Sequence, residues 1–282
     1  MPILNSDEFK RAVHTIVALG ATAAVLAKVS KLASNPTTDL ATICTLLKND
    51  GPLAADIIRI SNSSFYAAAS PHGNLNSAIN YIGLREVVRV INLSIARQLF
   101  ARDLSSYDLS AQEYWSTSVA TALVMEALAK CSGLDREDAY TIGIMHAIGQ
   151  VLIDRIIRDQ GYAFRWNGRE RVEDWERASV GFDYAETGSI LLEHWLFPIS
   201  TCEVVRWQLD PGKVVEPVSQ LGALQFTRRL LALTGADFAN RGWQIPETDP
   251  YVQAAGLTPA HADHLVADCA DNLRLIRQSV DF

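Results

Sequence analysis

The stretch that decides the fold class runs from Asp50 to Phe65, as Asp50-Gly51-Pro52-Leu53-Ala54-Ala55-Asp56-Ile57-Ile58-Arg59-Ile60-Ser61-Asn62-Ser63-Ser64-Phe65. Pro52 suits the first turn of a helix, because the backbone N–H groups of that turn have no partner within the helix. The three isoleucines give the helix apolar sides, so we expect it to be largely buried. The polar residues 61–64 then end it, since their side chains hydrogen-bond the local backbone.

Helical patterns of this kind recur along the whole chain. Ser110 and Glu113 have the spacing of a capping box, in which each side chain meets a free backbone N–H of the other residue. Near the start, apolar residues follow the i, i+4, i+7, i+8 spacing of an amphipathic helix at Phe9, Val13, Ile16 and Val17. We find no sustained alternation with a period of two residues, which strands would show. The sequence predicts an all-α fold.

Composition and charge exclude several classes of protein. Hydrophobic residues make up 49% of the 282 residues, so the chain can bury a sizeable core. The formal net charge of -7 disfavours nucleic acid and anionic membranes as partners, because both attract positive charge. The apolar run Ile16–Ala27 is shorter than the roughly 20 residues that span a bilayer. We therefore expect a cytoplasmic protein without a membrane partner, with its four cysteines reduced and buried.

A second informative segment is Ser77-Ala78-Ile79-Asn80-Tyr81-Ile82-Gly83-Leu84-Arg85-Glu86-Val87. Its pattern predicts a short helix, a stop at Gly83 and a new helix. Together with the Asp50–Leu53 segment and the Asn62-Ser63 pair, it resembles the HDOD family, the divergent relatives of the HD-domain phosphohydrolases. The resemblance extends from about residue 26 to residue 211.

The resemblance implies an N-terminal helical bundle packed on an HD-like helical core. We expect the bundle in residues 1–105, the core in residues 106–212 and a helical extension in residues 213–282. The Asn62-Ser63 turn and Gly83 are then structural motifs. We expect the turn to hold the bundle against the core.

The segment Gly143-Ile144-Met145-His146-Ala147-Ile148-Gly149 resembles the Leu-His-Asp-Ile-Gly stretch at the centre of the family. In an HD enzyme, the resemblance implies, the His-Asp pair ligates a metal that activates water against a phosphoester. Here Ala147 occupies the place of the aspartate, and alanine offers no ligand.

The family's other metal positions also hold residues that do not ligate. The resemblance puts Thr117, Tyr184 and the pair Trp207-Gln208 where histidines are expected, so only His146 remains. A catalytic metal needs about three protein ligands. We therefore predict no metal, no cofactor and no catalytic residue, and a relic pocket formed by Thr117, His146, Ala147, Tyr184, Trp207 and Gln208.

These expectations lead to three hypotheses about function. The first is a non-catalytic HDOD protein of signal transduction, acting through contacts with a protein partner or by sensing a small ligand. The second is a metal-dependent phosphohydrolase of the HD superfamily that acts on nucleotides or cyclic dinucleotides. The third is a module that senses a small nucleotide-like ligand in the relic pocket without chemistry. In the first hypothesis, His146 is a buried histidine that is hydrogen-bonded to a neighbour.

Overall fold

The computed structural model of the protein describes residues 40–63, 65–68, 70–213, 219–235 and 259–279, together with four isolated positions, Val25, Lys28, Val29 and Leu32. The helix predicted from Phe9 lies outside the described residues. Within them the chain is helical, and the only extended pairing is a single bridge between Leu104 and Leu109. The all-α prediction is confirmed.

The helices follow one another with short connections over most of the described chain. They are α1 (Leu40–Lys48), α2 (Gly51–Ser61), α3 (Leu75–Ile82), α4 (Leu84–Leu99), α5 (Ala111–Ser132), α6 (Arg136–Met145), α7 (Ile148–Asp159), α8 (Val172–Val180), α9 (Tyr184–His194), α10 (Ile199–Trp207), α11 (Ser219–Thr234) and α12 (Pro259–Ser279). Two short 3-10 turns lie at Ser105–Tyr107 and Pro211–Lys213.

Helix α2 is built as its sequence predicts. The Asp50 carboxylate accepts a hydrogen bond of 3.0 Å from the backbone N–H of Leu53, and a proline occupies the first turn. Leu53, Ile57 and Ile60 are buried, and α2 packs against α3 and α4. The N-terminal helices therefore share one apolar interior.

Helix α5 is the central element of the described chain, and α6, α11 and α12 all pack against it. The predicted capping box between Ser110 and Glu113 is present at its start. At the crossing of α5 with α6, a Cβ atom on Gly143 would lie 2.5 Å from the Cα of Ala122. Only glycine allows two helix backbones to approach so closely.

A second close crossing joins α7 to α9. A Cβ atom on Gly149 would lie 2.0 Å from the carbonyl oxygen of Tyr184 and 2.7 Å from the backbone nitrogen of Gly188. At its two glycines, the Gly143–Gly149 segment thus packs backbone to backbone against α5 on one side and against α9 on the other. This places the segment at the centre of the fold.

A charge cluster links α4 to α5, with Arg89 and Glu126 half-buried and Arg136 exposed. The guanidinium of Arg89 lies 2.6 Å from one carboxylate oxygen of Glu126, and Arg136 lies 2.9 Å from the other. The same guanidinium lies over the ring of Tyr140, 4.8 Å from its centroid. Helix α4 therefore meets the later helices through a paired charge as well as through apolar contacts.

The domain boundaries near residues 105 and 212 stay predictions.

The described part of the C-terminal segment packs on the rest of the chain, since α11 and α12 both lie against α5. Three of the cysteines are buried, but Cys131 is exposed near the end of α5, contrary to our expectation. Among the described helices, none combines the length and the apolar character that crossing a membrane requires.

Candidate functional site

The segment that resembles the central His-Asp stretch of the family forms a tight joint between two helices. Helix α6 ends at Met145 and α7 begins at Ile148, so His146 and Ala147 alone connect them. Both residues are buried, with 7% and 8% of their surface exposed. The joint is held from several sides by hydrogen bonds to the imidazole and to the backbone.

The imidazole of His146 is engaged within its own turn. Its Nδ1 atom lies 2.7 Å from the carbonyl oxygen of Gly143. Because a carbonyl can only accept, Nδ1 carries the proton and donates this bond. The pKa of His146 is lowered to about 4, chiefly by burial and in smaller part by the positive charge of Arg228, against the opposing effect of the hydrogen bond to Gly143. The imidazole is therefore neutral at neutral pH, as a buried structural histidine would be.

The two backbone carbonyls of the joint are also occupied. The side-chain amide of Gln208 donates a 2.7 Å hydrogen bond to the carbonyl of His146. The hydroxyl of Tyr114, on α5, donates a 2.5 Å bond to the carbonyl of Ala147. These bonds tie the joint to the end of α10 and to α5.

Gln208 carries this connection further, to α11. Its own backbone carbonyl accepts hydrogen bonds from the side chain of Gln225 and, at 3.1 Å, from the guanidinium of Arg228. Its amide group also donates to the carbonyl of Val205 at 2.9 Å. A single glutamine thus links α6, α10 and α11.

Tyr184 lies at the start of α9, in a neighbouring buried polar group. Its backbone N–H donates to one carboxylate oxygen of Glu176 at 2.8 Å, and the hydroxyl of Tyr107 donates to the other at 2.7 Å. Burial raises the pKa of Glu176 to about 8 and that of the Tyr184 phenol to about 12. The guanidinium of Arg228 lies 6.0 Å from the centroid of the Tyr184 ring, which connects this group to Gln208.

Thr117 and Trp207 are not part of this arrangement. Thr117 is exposed on α5, and its hydroxyl donates to the carbonyl of Glu113 in the same helix. Trp207 is half-buried, with the amino group of Lys213 at 5.9 Å from its ring. Of the six residues expected to form a relic pocket, the structure thus groups His146, Ala147 and Gln208, with Tyr184 reached through Arg228.

The family model of the HDOD domain matches residues 19–211, well over half of the chain. This chain belongs to the HDOD family. A curated relative, an uncharacterised protein from Treponema pallidum (strain Nichols), is 24% identical over 189 residues, which is 64% of this chain. The match covers only 36% of that relative, so the chain spans about a third of its length.

Several solved structures share the fold of this chain, and two of them illustrate the range of their names. The protein from Shewanella amazonensis SB2B called "putative phosphohydrolase" superposes with a TM-score of 0.65 at 20% identity, over 91% of this chain and 93% of its own. The protein from Marinobacter aquaeolei VT8 called "putative signal transduction protein" also gives 0.65 at 20% identity, over 89% of this chain and 57% of its own. At such identities the likeness concerns the fold.

The residues of this HDOD protein do not fit the metal of an HD enzyme. Ala147 has no donor atom, and His146, whose Nδ1 donates to a backbone carbonyl, could offer a metal only its Nε2 atom, one of the about three protein ligands that a catalytic metal needs. Gln208 turns its amide N–H groups, which cannot ligate, toward the joint. In the described part of the chain, no three side chains of His, Cys, Asp or Glu come together as a metal site requires.

The Asn62-Ser63 motif of the HDOD protein closes a loop in the N-terminal helices. The Asn62 side chain donates to the carbonyl of His72 at 3.0 Å and accepts from its N–H at 2.7 Å. The loop so closed contains Phe65, whose ring lies 5.5 Å from the Arg89 guanidinium. Gly83, at φ +83°, ends α3 and lets α4 begin at once.

We expect Asn62→Ala to lower the free energy of unfolding by about 1–3 kcal/mol, because both backbone groups of His72 lose their partner. Asn167→Ala is the matched control, since that exposed asparagine accepts one bond from the N–H of Arg169. Urea denaturation of both variants measures the difference. Equal stability of the two variants, with loss of a binding partner in the first alone, would make Asn62 a docking residue.

Proposed function

We propose that this HDOD protein is a non-catalytic component of cytoplasmic signal transduction, acting by binding a protein partner or by sensing a small ligand. The observation that carries the proposal is the use of the His146-Ala147 joint as a structural connector. Its imidazole is hydrogen-bonded within its own turn, and its two carbonyls accept hydrogen bonds from α5 and from the end of α10. A segment used in this way keeps the Nε2 atom of His146 as a single potential ligand, and a catalytic metal needs about three.

The alternative is a metal-dependent phosphohydrolase, as the name of the Shewanella protein suggests for that protein. Such chemistry needs a metal-bound water of lowered pKa next to the phosphoester. Here the adjacent buried groups are the Glu176 carboxyl and the Tyr184 phenol. Both oxygens of the Glu176 carboxyl already accept hydrogen bonds, from the Tyr107 hydroxyl and the Tyr184 backbone N–H. The geometry favours the non-catalytic function.

We expect the purified protein to hold less than stoichiometric iron, manganese or zinc and to hydrolyse no cyclic dinucleotide, guanosine polyphosphate or simple phosphodiester above background. Elemental analysis and assays with added Mn²⁺, Fe²⁺ or Mg²⁺ measure both quantities. His146→Ala, checked for folding by circular dichroism, is the control. Turnover that the parent shows and the folded variant lacks would make the protein an enzyme.

A signalling role also predicts a specific partner. Full-length protein used as bait in extracts of its own cells should retain the same protein under repeated washing, as identified by mass spectrometry. The Asn167→Ala variant should capture it equally well, because that side chain hydrogen-bonds only its own loop among the described residues. Retention of nothing beyond what an unrelated bait retains would argue against a protein partner.

A further inference from the structure

A cleft opens between the C-terminal end of α4 and one side of α7. Its volume is about 510 Å³, within the range of small-molecule sites, about 300–1,000 Å³. Its lining comprises the residues Gln98, Leu99, Ala101, Arg102, Leu104, Val151, Arg155, Arg158 and Asp159. The cleft therefore joins the part of the chain expected to form the bundle to the part expected to form the HD-like core.

The cleft is separate from the joint at His146. Residues at positions 151, 155, 158 and 159 share one face of α7, because they follow the i, i+4, i+7, i+8 spacing of a helix. Gly149 lies on the opposite face, where it meets α9, and Leu152, Ile153 and Ile156 are buried. A molecule in the cleft would therefore not contact the imidazole.

The lining carries three guanidinium groups and one carboxylate. Arg155 approaches Asp159 through Nε, at 3.3 Å, and Arg158 approaches Asp154 through Nε, at 2.9 Å. The terminal amino groups of both arginines have no hydrogen-bond partner among the described residues. Arg102 is exposed and forms no ion pair with any carboxylate in the described ranges.

Negative charge near the cleft is largely compensated. Asp154 is fully buried and turns its other oxygen to the backbone N–H of Ser106, at 2.9 Å. Arg155 and Arg158 balance the carboxylates of Asp159 and Asp154, and the C-terminal end of α7 adds a partial negative charge of about half a unit. The full charge of Arg102 exceeds this partial charge, so the cleft keeps a small positive excess in a chain whose net charge is -7.

We propose that this cleft binds a small organic anion that carries a phosphate group, of the class of phosphorylated nucleosides. Guanidinium groups bind phosphate with paired hydrogen bonds, and the free amino groups of Arg102, Arg155 and Arg158 supply them. Leu99, Leu104 and Val151 offer an apolar floor to the uncharged part of the ligand. This proposal rests on the proposed function, in which the protein senses a small ligand. It adds the place where that ligand binds and its chemical class.

Isothermal titration calorimetry of the full chain with AMP, GMP and inorganic phosphate tests the proposal. We expect one of the nucleotides to bind saturably with one site per chain, more tightly than inorganic phosphate. Arg102→Gln and Arg155→Gln should each weaken this binding about tenfold or more, as loss of a charge-assisted hydrogen bond does. Arg85→Gln, on the same helix as the cleft but 82% exposed and outside it, should leave it unchanged.

A fourth variant tests whether binding needs the space of the cleft as well as its positive charge. Ala101 is exposed at the cleft, so Ala101→Trp should fill the space and abolish binding while the melting temperature stays that of the parent. Absence of saturable binding up to about 10 mM, which corresponds to a negligible affinity, would overturn the proposal. So would equal weakening by Arg85→Gln, or binding of a glutamate-rich peptide in place of the nucleotides. The assays of hydrolysis and partner capture use none of these variants. The proposed signalling function and the proposed nucleotide site can therefore each fail without the other.

Discussion

Gly149→Ala should destabilise the protein by about 3 kcal/mol or prevent it from folding. The added methyl would lie 2.0 Å from the carbonyl oxygen of Tyr184 and 2.7 Å from the backbone nitrogen of Gly188. Both atoms belong to the backbone of α9 and cannot rotate away, so α7 and α9 would have to separate. Overpacking of this kind costs about 1–3 kcal/mol and occasionally more. Urea denaturation followed by far-ultraviolet circular dichroism measures the loss.

Gly222→Ala is the matched control for this substitution. Gly222 is also a helical glycine, within α11, but outside its own helix no atom of the described residues lies within 4 Å of the position that its Cβ would take. Alanine in a helix interior is favoured over glycine by about 1 kcal/mol, so this variant should be as stable as the parent or more stable. If both variants lost stability equally, the close crossing of α7 and α9 would not be a determinant of stability.

Arg89→Met should lower the free energy of unfolding by about 1–3 kcal/mol, the cost of removing one partner of a largely desolvated hydrogen bond. The side chains of Arg89 and Glu126 are only 12% and 14% exposed, and 2.6 Å separates their charged atoms. Methionine keeps the apolar stem but leaves the Glu126 carboxylate with Arg136 as its only cationic partner among the described residues. Chemical denaturation with fitted midpoints and slopes measures the change.

Arg274→Met provides the comparison for the pair of Arg89 and Glu126. Arg274 lies 2.9 Å from Asp271, but these side chains are 69% and 73% exposed. Exposed ion pairs contribute about 0–1 kcal/mol, so this variant should differ little from the parent. A loss for Arg89→Met as small as that for Arg274→Met would show that the charge cluster between α4 and α5 does not stabilise the fold.

Much of the fold could be predicted because its signals are local. The cap of α2 at Asp50, the capping box of α5 and the stop at Gly83 each depend on residues a few positions apart, and the structure contains all three. The all-α class follows from many such signals. The exposure of Cys131 was missed, because an apolar sequence neighbourhood does not reveal which side of a helix faces solvent.

The candidate site was predicted less completely. Gln208 was identified through the resemblance, and the structure brings it to the carbonyl of His146. Tyr114 was missed, although it lies one turn before Thr117 on α5, because its bond to Ala147 joins residues 33 positions apart. Arg228 was missed for the same reason. Contacts between distant segments leave no periodic trace, so the sequence offers no signal for them.

The cleft between α4 and α7 could not be read from the sequence either. Arg102 and Arg155 look like ordinary charged residues of a loop and a helix, and the space between them exists only once the helices have packed. The residue spacing on α7 does reveal which side chains share a face. It does not reveal that α4 ends opposite them.

The position of α12 has a consequence for the order in which the protein is made. Helix α5 is synthesised well before α12, yet α12 covers part of its surface and buries Leu273 and Ile276. A ribosome must therefore translate through residue 279 before that face of α5 can be covered. Until then the nascent chain displays an apolar surface on its central helix, which is the kind of surface that chaperones bind. The covering of this face of α5 thus waits for the synthesis of α12, even though the earlier helices can pair with one another as they emerge.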